Sequence, residues 1–392
     1  MTLAPQNSPA NFPANSPLVA PLVALATGGT AGHVFPAAAL AAELAKRGCR
    51  LALITDRRGG ALGGRLDKIE TFRVRAGGIA GKGLAARIKS SFEILAGIVQ
   101  AWRILKKIRP AVVVGFGGYA SVPTMLAARH CGAKTAIHEQ NAVLGRANRL
   151  LAGRVALIAT SYEVVAAMPE GAAEVARTGM PVRPAVTELR DSAYPDRKEG
   201  GAIGIVIFGG SQGAAVFSRV VPEAISRLEG DLRGRLSIVQ QCRSDDLAGV
   251  KAAYARLGVK AEVAAFYDDL PARIAAAHLI ICRSGASTVA ELTTIGRPLV
   301  MIPYPHAVDD HQSSNAHAVD AAGAGWLMPE EAFTPEALAE RLGALLTMPR
   351  ILENAAQASS AFGRPDAAAR LADVVCAMLP AGGGWDSGRR AA

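Results

Sequence analysis

The sequence predicts an α/β protein built from two doubly wound parallel-sheet domains that face each other across a cleft. Short apolar runs alternate with helical stretches along nearly all of the 392 residues, which is typical of βαβ units in a parallel sheet. One polar segment interrupts this alternation near the middle of the chain. On each side of it, the first strand is followed by a glycine-rich loop, GGTAGH (28–33) or GGSQGA (209–214), which indicates two similar Rossmann-like halves.

The apolar runs are the predicted strands. Hydrophobic residues make up 50% of the chain and aromatic residues only 5%, so the core is expected to consist of Ala, Val, Leu and Ile, as suits helices on a parallel sheet. The predicted strands lie in LVALAT (22–27), LALIT (51–55), AVVVGFGG (111–118), KTAIHEQ (134–140), VALIATS (155–161), IGIVIFGG (203–210), LSIVQQ (236–241), AHLIICRSG (277–285) and RPLVMIPY (297–304).

Composition divides the chain into five segments. Residues 1–20 are rich in Pro, Asn and Ser and lack a basic n-region, so they are interpreted as a disordered leader rather than a signal peptide. Residues 21–183 are predicted to form the first domain, and residues 202–379 the second domain with a closing helix. The polar stretch 184–201 between them is predicted to be a linker, and the Gly-rich tail 380–392 to be disordered.

The net charge restricts the expected partners. Lys and Arg number 43 against 33 Asp and Glu, and the resulting charge of +10 favours a phosphate ligand or an anionic membrane surface. The sequence has no RNA-binding signature and no zinc spacing, so nucleic acid is not expected. Five scattered cysteines without a CxxC pair indicate reduced thiols in the cytosol. No apolar run reaches the length of a transmembrane helix, so any membrane contact is expected to be peripheral.

The glycine-rich loops of the first half are candidates for close contact with a ligand. In TGGTAGHVFPA (27–37), glycines permit a sharp turn and the following helix offers free N–H groups to an anion. Thr30 adds a hydroxyl, and His33 stands at the predicted cleft edge. The spacing does not fit GxGxxG, which argues against a dinucleotide site. GFGGYASVP (115–123) indicates a second close backbone approach, although each loop alone also fits a plain βα turn.

Four polar residues, HEQN (138–141), directly follow the strand KTAI. At the carboxyl end of a strand, Glu139 or His138 could act as a general base, and Asn141 could hold a substrate hydroxyl. An interdomain hydrogen-bond network explains His138 equally well.

Three stretches of the second half carry further candidates. GGSQGA suits a diphosphate at a helix N-terminus, with a hydroxyl from Ser211 and an amide from Gln212. CRSGASTVAE (282–291) predicts a helix that opens near Ala286, in which Glu291 can accept two hydrogen bonds from ribose hydroxyls or simply place a negative charge near the N-terminus. DDHQSSNA (309–316) brings polar side chains to the same cleft edge, although its Asp pair could be a helix cap alone.

Together, these motifs make the sequence resemble the MurG family of peptidoglycan glycosyltransferases. GGTAGHVFPA, GFGGYASVP, HEQN, GMPVR, GGSQGA, CRSGASTVAE and DDHQSSNA occur in the family's order, over about residues 22–379. The resemblance implies the GT-B fold and an inverting transfer of N-acetylglucosamine from UDP-N-acetylglucosamine to the 4-hydroxyl of polyprenyl-diphosphoryl-muramoyl-pentapeptide. It also implies no cofactor or metal, a peripheral position on the cytoplasmic face of the cell membrane, and cell-wall synthesis proteins as partners.

The resemblance further implies roles for single residues. Glu291 would hold the ribose, Arg183 would face the diphosphate unless it is a solvated linker cation, and the backbone near Tyr267 would contact the uracil. The residues implied in UDP-N-acetylglucosamine binding are Thr30, Ala31, Gly32, Asn141, Arg183, Ser211, Gln212, Tyr267, Ala286, Ser287, Thr288, Glu291 and Gln312.

The general base stays open between His33 and Glu139. Histidine has the better intrinsic pKa near neutrality, whereas Glu139 would need a raised pKa. Ala31 stands where the family usually has glycine, which requires a negative φ or a relaxed loop. The segment 309–312 varies in length among relatives, so either Gln312 or His311 could meet the sugar.

A polyprenyl acceptor requires contact with the membrane. The stretch 77–107 mixes apolar and basic residues, which suits an anionic leaflet, and its apolar residues beyond Leu95 are expected to be helix core. Two alternatives to the main function are a related UDP-sugar-dependent glycolipid glycosyltransferase and a non-catalytic UDP-sugar-binding membrane scaffold. HEQN with GFGGYAS argues against the first, and the intact set of candidate catalytic groups argues against the second.

Overall fold

The computed structural model describes residues 20–28, 31–56, 69–76, 84–171, 173–197, 200–210 and 213–380, with the backbone alone at residue 31 and residues 84–91. The strands of the first half are β1 (Leu22–Thr27), β2 (Arg50–Thr55), β3 (Glu70–Arg73), β4 (Val112–Gly115), β5 (Lys134–Glu139), β6 (Leu157–Thr160) and β7 (Glu174–Arg177). Its helices are α1 (Ala31–Lys46), α2 (Leu84–Ile108), α3 (Ser121–Arg129) and α4 (Arg146–Leu151).

The second half repeats this alternation. Its strands are β8 (Ile203–Phe208), β9 (Leu236–Gln241), β10 (Lys260–Ala264), β11 (Leu279–Cys282), β12 (Leu299–Met301) and β13 (Gly325–Leu327). Its helices are α5 (Pro184–Thr187), α6 (Ala215–Ser226), α7 (Gly230–Gly234), α8 (Leu247–Arg256), α9 (Leu270–Ala275), α10 (Ala286–Ile295), α11 (His311–Ala321), α12 (Pro335–Thr347), α13 (Pro349–Phe362) and α14 (Ala367–Ala377).

Each half contains one parallel sheet. The strand order is β3-β2-β1-β4-β5-β6-β7 in the first and β10-β9-β8-β11-β12-β13 in the second, which is the doubly wound arrangement. The order reverses between β1 and β4 and again between β8 and β11. At such a reversal the connections leave toward opposite faces, so a crevice opens at the carboxyl ends of the strands. The predicted fold class is confirmed, and the crevices fall at the glycine-rich loops.

All nine predicted apolar runs contain a strand, and the four unpredicted strands are the sheet edges. Three of them, β3, β7 and β10, carry charged residues and contain at most one buried residue each, and β13 has only three residues. An edge strand is covered on fewer sides than a central strand, so its sequence needs no continuous apolar run.

The segment predicted to be a linker is packed on the second domain. Val186 in α5 is fully buried, and the Tyr194 hydroxyl donates to the His278 carbonyl over 2.8 Å. The Arg297 guanidinium donates to the carbonyls of Ser192 and Ala193. These contacts hold the connection against the second sheet.

The closing helix α14 belongs by packing to the first domain, although the sequence analysis assigned it to the second. Leu371, Ala372 and Val375 lie in one buried cluster with Leu40 and Leu44 of α1. An apolar helix face is stabilised wherever it can be covered, and α1 offers a matching face. The chain therefore crosses back to the first domain after α13.

Helix α2 exposes an apolar stripe to solvent. The expectation that apolar residues beyond Leu95 are core was wrong for Val99 and Trp102, which are 48% and 43% exposed. Ala101 and Leu105, on the opposite face of the helix, are fully buried. None of the helices in the described parts of the chain is both long and apolar enough to cross a membrane.

Candidate functional site

A cavity of about 190 Å³ lies at the carboxyl ends of β1, β4, β5 and β12. It brings together residues that the sequence predicted from separate motifs, among them His33, Glu139, Asn141 and His311. Thr30, Ser211 and Gln212, which were also predicted, lie outside the described residues.

The His33 ring joins the two glycine-rich loops of the first domain. A Cβ added to Gly118 would lie 3.3 Å from His33 Cδ2, and one added to Gly117 would lie 3.5 Å from Cε1. Both glycines have positive φ, +81° at Gly117 and +72° at Gly118, which other residues adopt only at a cost. The last two glycines of GFGG therefore allow the imidazole ring to pack directly against the backbone.

His33 has the properties of a proton acceptor. Burial lowers its pKa, an effect that Glu139, Gln140 and the Phe116 carbonyl oppose, so the ring is neutral at neutral pH. Its Nδ1 is buried and has no hydrogen-bond partner within the described ranges. Alanine is also tolerated at position 31, where the family usually has glycine, because Ala31 begins α1 and helical residues have negative φ.

Glu139 is buried and saturated with hydrogen-bond donors. Its Oε1 accepts from the Asn141 backbone N–H at 3.0 Å and from the Asn141 side chain at 3.2 Å. Its Oε2 accepts from the Gly145 N–H at 2.9 Å and from Asn148 Nδ2 at 2.8 Å. Four donors fill the acceptor capacity of a carboxylate. The arrangement makes Glu139 an organiser of the segment 141–148 rather than a free base.

His138 lies in a buried hydrogen-bond network. It is 0% exposed, its Nε2 is 3.0 Å from the Gly179 carbonyl oxygen, and its Nδ1 is 3.1 Å from Gln140 Nε2. Burial lowers the pKa of His138 to about 4. Of the two interpretations open to the sequence, the structure therefore favours the network over a base at this position.

Asn141 is clamped between the two domains. Its side-chain oxygen accepts from Asn315 Nδ2 at 3.1 Å, while its Nδ2 donates to Glu139. Asn315 also accepts from the Ala142 N–H at 2.8 Å and donates to the Ser284 carbonyl at 3.0 Å. One fully buried amide thus ties HEQN to the loop after β11.

Arg183 and Glu291, both predicted to contact the nucleotide sugar, are bonded to each other. Arg183 Nε donates to Oε1 at 2.9 Å and Nη2 donates to Oε2 at 2.8 Å. The guanidinium also lies 5.5 Å from the centre of the Phe35 ring in α1. The pair therefore crosses the domain junction beside the first glycine-rich loop.

The N-terminus of α10 faces the first domain. The helix begins at Ala286, as the sequence predicted, after Gly285 in an extended conformation. A Cβ added to Gly32 would lie 4.0 Å from the Ser287 hydroxyl, so the loop after β1 approaches this helix start closely. Ala286, Ser287 and Thr288 contribute its first-turn N–H groups, which favour an anion.

The Asp309–Asp310 pair has a larger role than a helix cap. Asp310 is the N-cap residue of α11, but its side chain accepts from the Ser313 hydroxyl at 2.6 Å and caps no backbone N–H of the helix. Asp309 instead accepts from Arg146 Nε at 3.1 Å and Nη2 at 2.9 Å, across the cleft. Its φ of +54° turns the side chain toward the first domain at the cost of an unfavourable backbone conformation.

Two further predicted residues have local partners. The Tyr267 hydroxyl donates to the Glu262 carbonyl at 3.0 Å, so its buried side chain is bonded within the second domain. Gln312 Oε1 accepts from the Tyr304 N–H at 2.9 Å, and His311 Nδ1 lies 2.8 Å from the Val308 carbonyl.

The sequence analysis missed Arg146, Asn148 and Asn315 as parts of the site. Each of them lies within a helix and bonds to a residue outside that helix, as when the Asn315 side chain donates a hydrogen bond to Asn141. HEQN and DDHQSSNA carried the only signal, because each contains or adjoins these residues.

Comparisons of the chain with known families match both halves. Residues 23–160 match the glycosyltransferase family 28 N-terminal domain, and residues 204–371 match the glycosyltransferase family 28 C-terminal domain. A curated protein from Paramagnetospirillum magneticum is 55% identical over 91% of this chain and 96% of its own length. One from Rhodospirillum rubrum is 54% identical over 90% and 91%. Both are named UDP-N-acetylglucosamine--N-acetylmuramyl-(pentapeptide) pyrophosphoryl-undecaprenol N-acetylglucosamine transferase.

Solved structures give the same result. MurG from Acinetobacter baumannii superposes with a TM-score of 0.75 at 30% identity, over 91% of this chain and 100% of that one. A UDP-GlcNAc 2-epimerase from Neisseria meningitidis, solved with UDP-GlcNAc bound, superposes with a TM-score of 0.63 at 15% identity, over 91% and 100%. At that identity the second match shows a shared fold alone.

Proposed function

Because the chain belongs to glycosyltransferase family 28, we propose that it is an N-acetylglucosaminyltransferase of the MurG type, with UDP-N-acetylglucosamine as donor and a lipid-linked N-acetylmuramoyl-pentapeptide as acceptor. The observation that carries this function is the 55% identity to a transferase of that name over 91% of the chain. In the reaction the acceptor 4-hydroxyl oxygen bonds to the anomeric carbon from the side opposite the diphosphate. UDP leaves with the bonding electron pair, a base takes the hydroxyl proton, and the anomeric configuration inverts.

The donor site is proposed at the junction of α10 with the first domain. The α10 N-terminus and Arg183 supply positive charge for the diphosphate, and Glu291 supplies two acceptor oxygens for the ribose hydroxyls. The bidentate contact between Arg183 and Glu291 supports this proposal, because it keeps both groups extended toward the same point. Thr30, Ser211 and Gln212 remain proposed ligand residues.

His33 is proposed as the general base. It is neutral at working pH, lines the cavity and places its Nε2 beside Gly118, which lines the same cavity. Glu139 is the weaker candidate, since donors already fill its acceptor positions. We assign to Glu139 the positioning of Asn141 and of the segment that follows it.

The acceptor is proposed to reach the cleft from a membrane surface that binds α2, on the cytoplasmic face. Phe92, Leu95, Val99 and Trp102 are 43–70% exposed and recur at intervals of three and four residues, so they share one face of the helix. Lys106 and Lys107 are exposed in its last turn. An apolar face with basic neighbours is the pattern that binds an anionic leaflet.

A transfer assay tests the proposed function. Labelled UDP-N-acetylglucosamine is incubated with the purified full chain and muramoyl-pentapeptide-diphosphoryl-polyprenol, and in parallel with diacylglycerol. We expect label in the muramoyl lipid and none in the diacylglycerol. Label in diacylglycerol alone would indicate a glycolipid glycosyltransferase, and UDP binding without any transfer would indicate a scaffold; either result contradicts the proposal.

A further inference from the structure

We infer that Gln140 is a positioning residue for this reaction: its side-chain oxygen accepts the Nδ1–H of His33 and leaves Nε2 free to take the proton of the acceptor hydroxyl. The inference rests on the proposed function, in which His33 is the base. Gln140 is buried, lines both the catalytic cavity and the pocket beside Gly179, and has no other role in the reaction as described above.

The assignment begins at Gly179, on the far side of the network. A backbone carbonyl can only accept, so the His138 Nε2 that lies 3.0 Å from it carries a hydrogen. His138 is fully buried and neutral, so its Nδ1 has no hydrogen and must accept. The tautomer of His138 is thereby fixed by its surroundings.

This tautomer fixes the orientation of the Gln140 amide. Its Nε2 lies 3.1 Å from His138 Nδ1, 3.0 Å from the His138 carbonyl oxygen and 3.1 Å from the Phe116 carbonyl oxygen. All three are acceptors, so the NH₂ end of the amide must face them. A flipped amide would place an oxygen against three acceptors. The side-chain oxygen is therefore held at the other end.

The donor to this oxygen is His33. Gln140 and the Phe116 carbonyl both lie close enough to His33 to raise its pKa, although burial lowers it overall. Nδ1 is the buried nitrogen without a partner, whereas Nε2 lies 3.4 Å from the Cβ position of Gly118, which lines the cavity. Hydrogen bonds of catalytic groups are often long before substrate binds, and we expect the Nδ1–H to bond to the Gln140 side-chain oxygen in the substrate complex.

The charged and titratable groups around His33 are compatible with a hydrogen on Nδ1 and a free Nε2. Glu139 favours its protonated form, and His311 opposes it. His138 also faces the ring, but it stays neutral above about pH 4. A chain of fixed donors and acceptors thus runs from Gly179 through His138 and Gln140 to His33.

The test is Gln140→Met, which keeps the size of the side chain and removes the acceptor. We expect kcat to fall about 10- to 100-fold, less than the loss on removing the base itself, with the KM for UDP-N-acetylglucosamine changed less than about threefold. Loss of an acceptor that favours protonated His33 lowers its pKa, so the acid limb of the kcat–pH profile should move to lower pH. The double variant His33→Ala/Gln140→Met should lose no more activity than His33→Ala.

Gln240→Met is the matched control, since Gln240 is a buried glutamine in β9 that pairs with the Tyr254 hydroxyl. It should lower thermal stability without moving the acid limb. If Gln140→Met does not fold, Gln140→Asn replaces it in the same measurements, because its side chain is one methylene shorter and moves the amide away from His33. An unchanged acid limb and kcat, or multiplicative losses in the double variant, would overturn the role of Gln140 alone. Full turnover in His33→Ala would overturn the base assignment and this inference with it.

Discussion

Arg183 and Glu291 form two parallel hydrogen bonds across the domain junction, 2.9 and 2.8 Å long. The two side chains are 41% and 17% exposed, and an ion pair in such a partly solvated place stabilises a fold by only about 0–1 kcal/mol. Breaking this contact, so that Arg183 can bind a diphosphate and Glu291 a ribose, therefore costs little free energy. The pair preorganises the two groups that we assign to the adjacent diphosphate and ribose of the donor.

Glu291→Gln tests this arrangement. The amide has one acceptor oxygen where the carboxylate has two, and it carries no charge, so it cannot offer one oxygen to each ribose hydroxyl or hold Arg183 through two parallel bonds. We expect the KM for UDP-N-acetylglucosamine to rise about 10- to 100-fold, which corresponds to the loss of one or two hydrogen bonds to a charged group, with a smaller effect on the KM for the lipid acceptor. Steady-state kinetics with each substrate varied would measure it.

Glu223→Gln is the control for the loss of a surface carboxylate, because Glu223 pairs with Arg227 four residues along α6. It should leave both KM values unchanged. A Glu291→Gln enzyme whose acceptor KM rises while its donor KM stays constant would contradict the ribose assignment.

Gly118→Ala tests the seat of His33. The new Cβ would lie 3.3 Å from His33 Cδ2, which is closer than an ordinary van der Waals contact, and 3.4 Å from Nε2, at a φ of +72°. The backbone strain costs about 1–2 kcal/mol, and displacement of the ring should reduce kcat about 10- to 100-fold. Thermal unfolding and kcat are measured together on the same preparation.

Gly132→Ala separates these two effects. Gly132 has a similar φ of +77°, but a Cβ there would meet nothing within 4 Å. It should lose similar stability and retain activity. Equal losses of kcat in both variants would mean that strain, and not the position of His33, limits the reaction.

The central strands could be predicted from sequence, and the edge strands could not. A strand such as β4 is covered by neighbours and helices on all sides, so its sequence is continuously apolar, whereas β7 has a charged residue at each end and no buried residue. Likewise, α14 shows an apolar face in the sequence, but nothing in the sequence says which domain covers it. Its packing on α1 depends on the path of the chain through space.

The site could be located from sequence but not resolved into roles. HEQN predicted a polar cluster at a strand end, yet its side chains divide between two networks: His138 and Gln140 bond to each other, whereas Glu139 bonds to Asn141 and the segment after it. Only tertiary contacts with Gly145 and Asn148 distinguish a saturated Glu139 from a free base. The link between Asp309 and Arg146 spans 163 residues of sequence, and neither motif predicts it.

His138 should make the protein sensitive to mild acid. Its pKa is lowered to about 4 in the folded state, whereas an exposed histidine titrates near about 6.5, so the unfolded chain binds a proton first as the pH falls. Stability is thus fully retained above about pH 6.5 and declines between about pH 6.5 and 4, by up to about 1.4 kcal/mol per pH unit from this residue. His138→Asn should flatten that decline, as measured by melting temperature against pH.

His130→Asn is the comparison for this experiment, since it removes an exposed imidazole. The slope that persists in His138→Asn is expected from His33 and His278, whose pKa values burial also lowers. A wild-type melting temperature that stays constant from pH 7 to pH 4.5 would refute the assignment of a neutral, buried His138.

The apolar stripe on α2 should govern membrane binding. Phe92 and Trp102 are 70% and 43% exposed, and burying a large apolar side chain contributes about 1.5–3 kcal/mol. Phe92→Ser should therefore weaken binding to vesicles of anionic lipid about tenfold or more, and salt should weaken it further because the neighbouring lysines are screened.

Val164→Ser is the control, because it removes an apolar side chain that is 80% exposed on a different surface, and it should leave vesicle binding unchanged. Turnover of a short-chain, water-soluble acceptor should be equal in all three proteins, because none of the described side chains of α2 lines the catalytic cavity. Equal vesicle binding by Phe92→Ser and wild type in a sedimentation assay would show that the membrane contacts another surface.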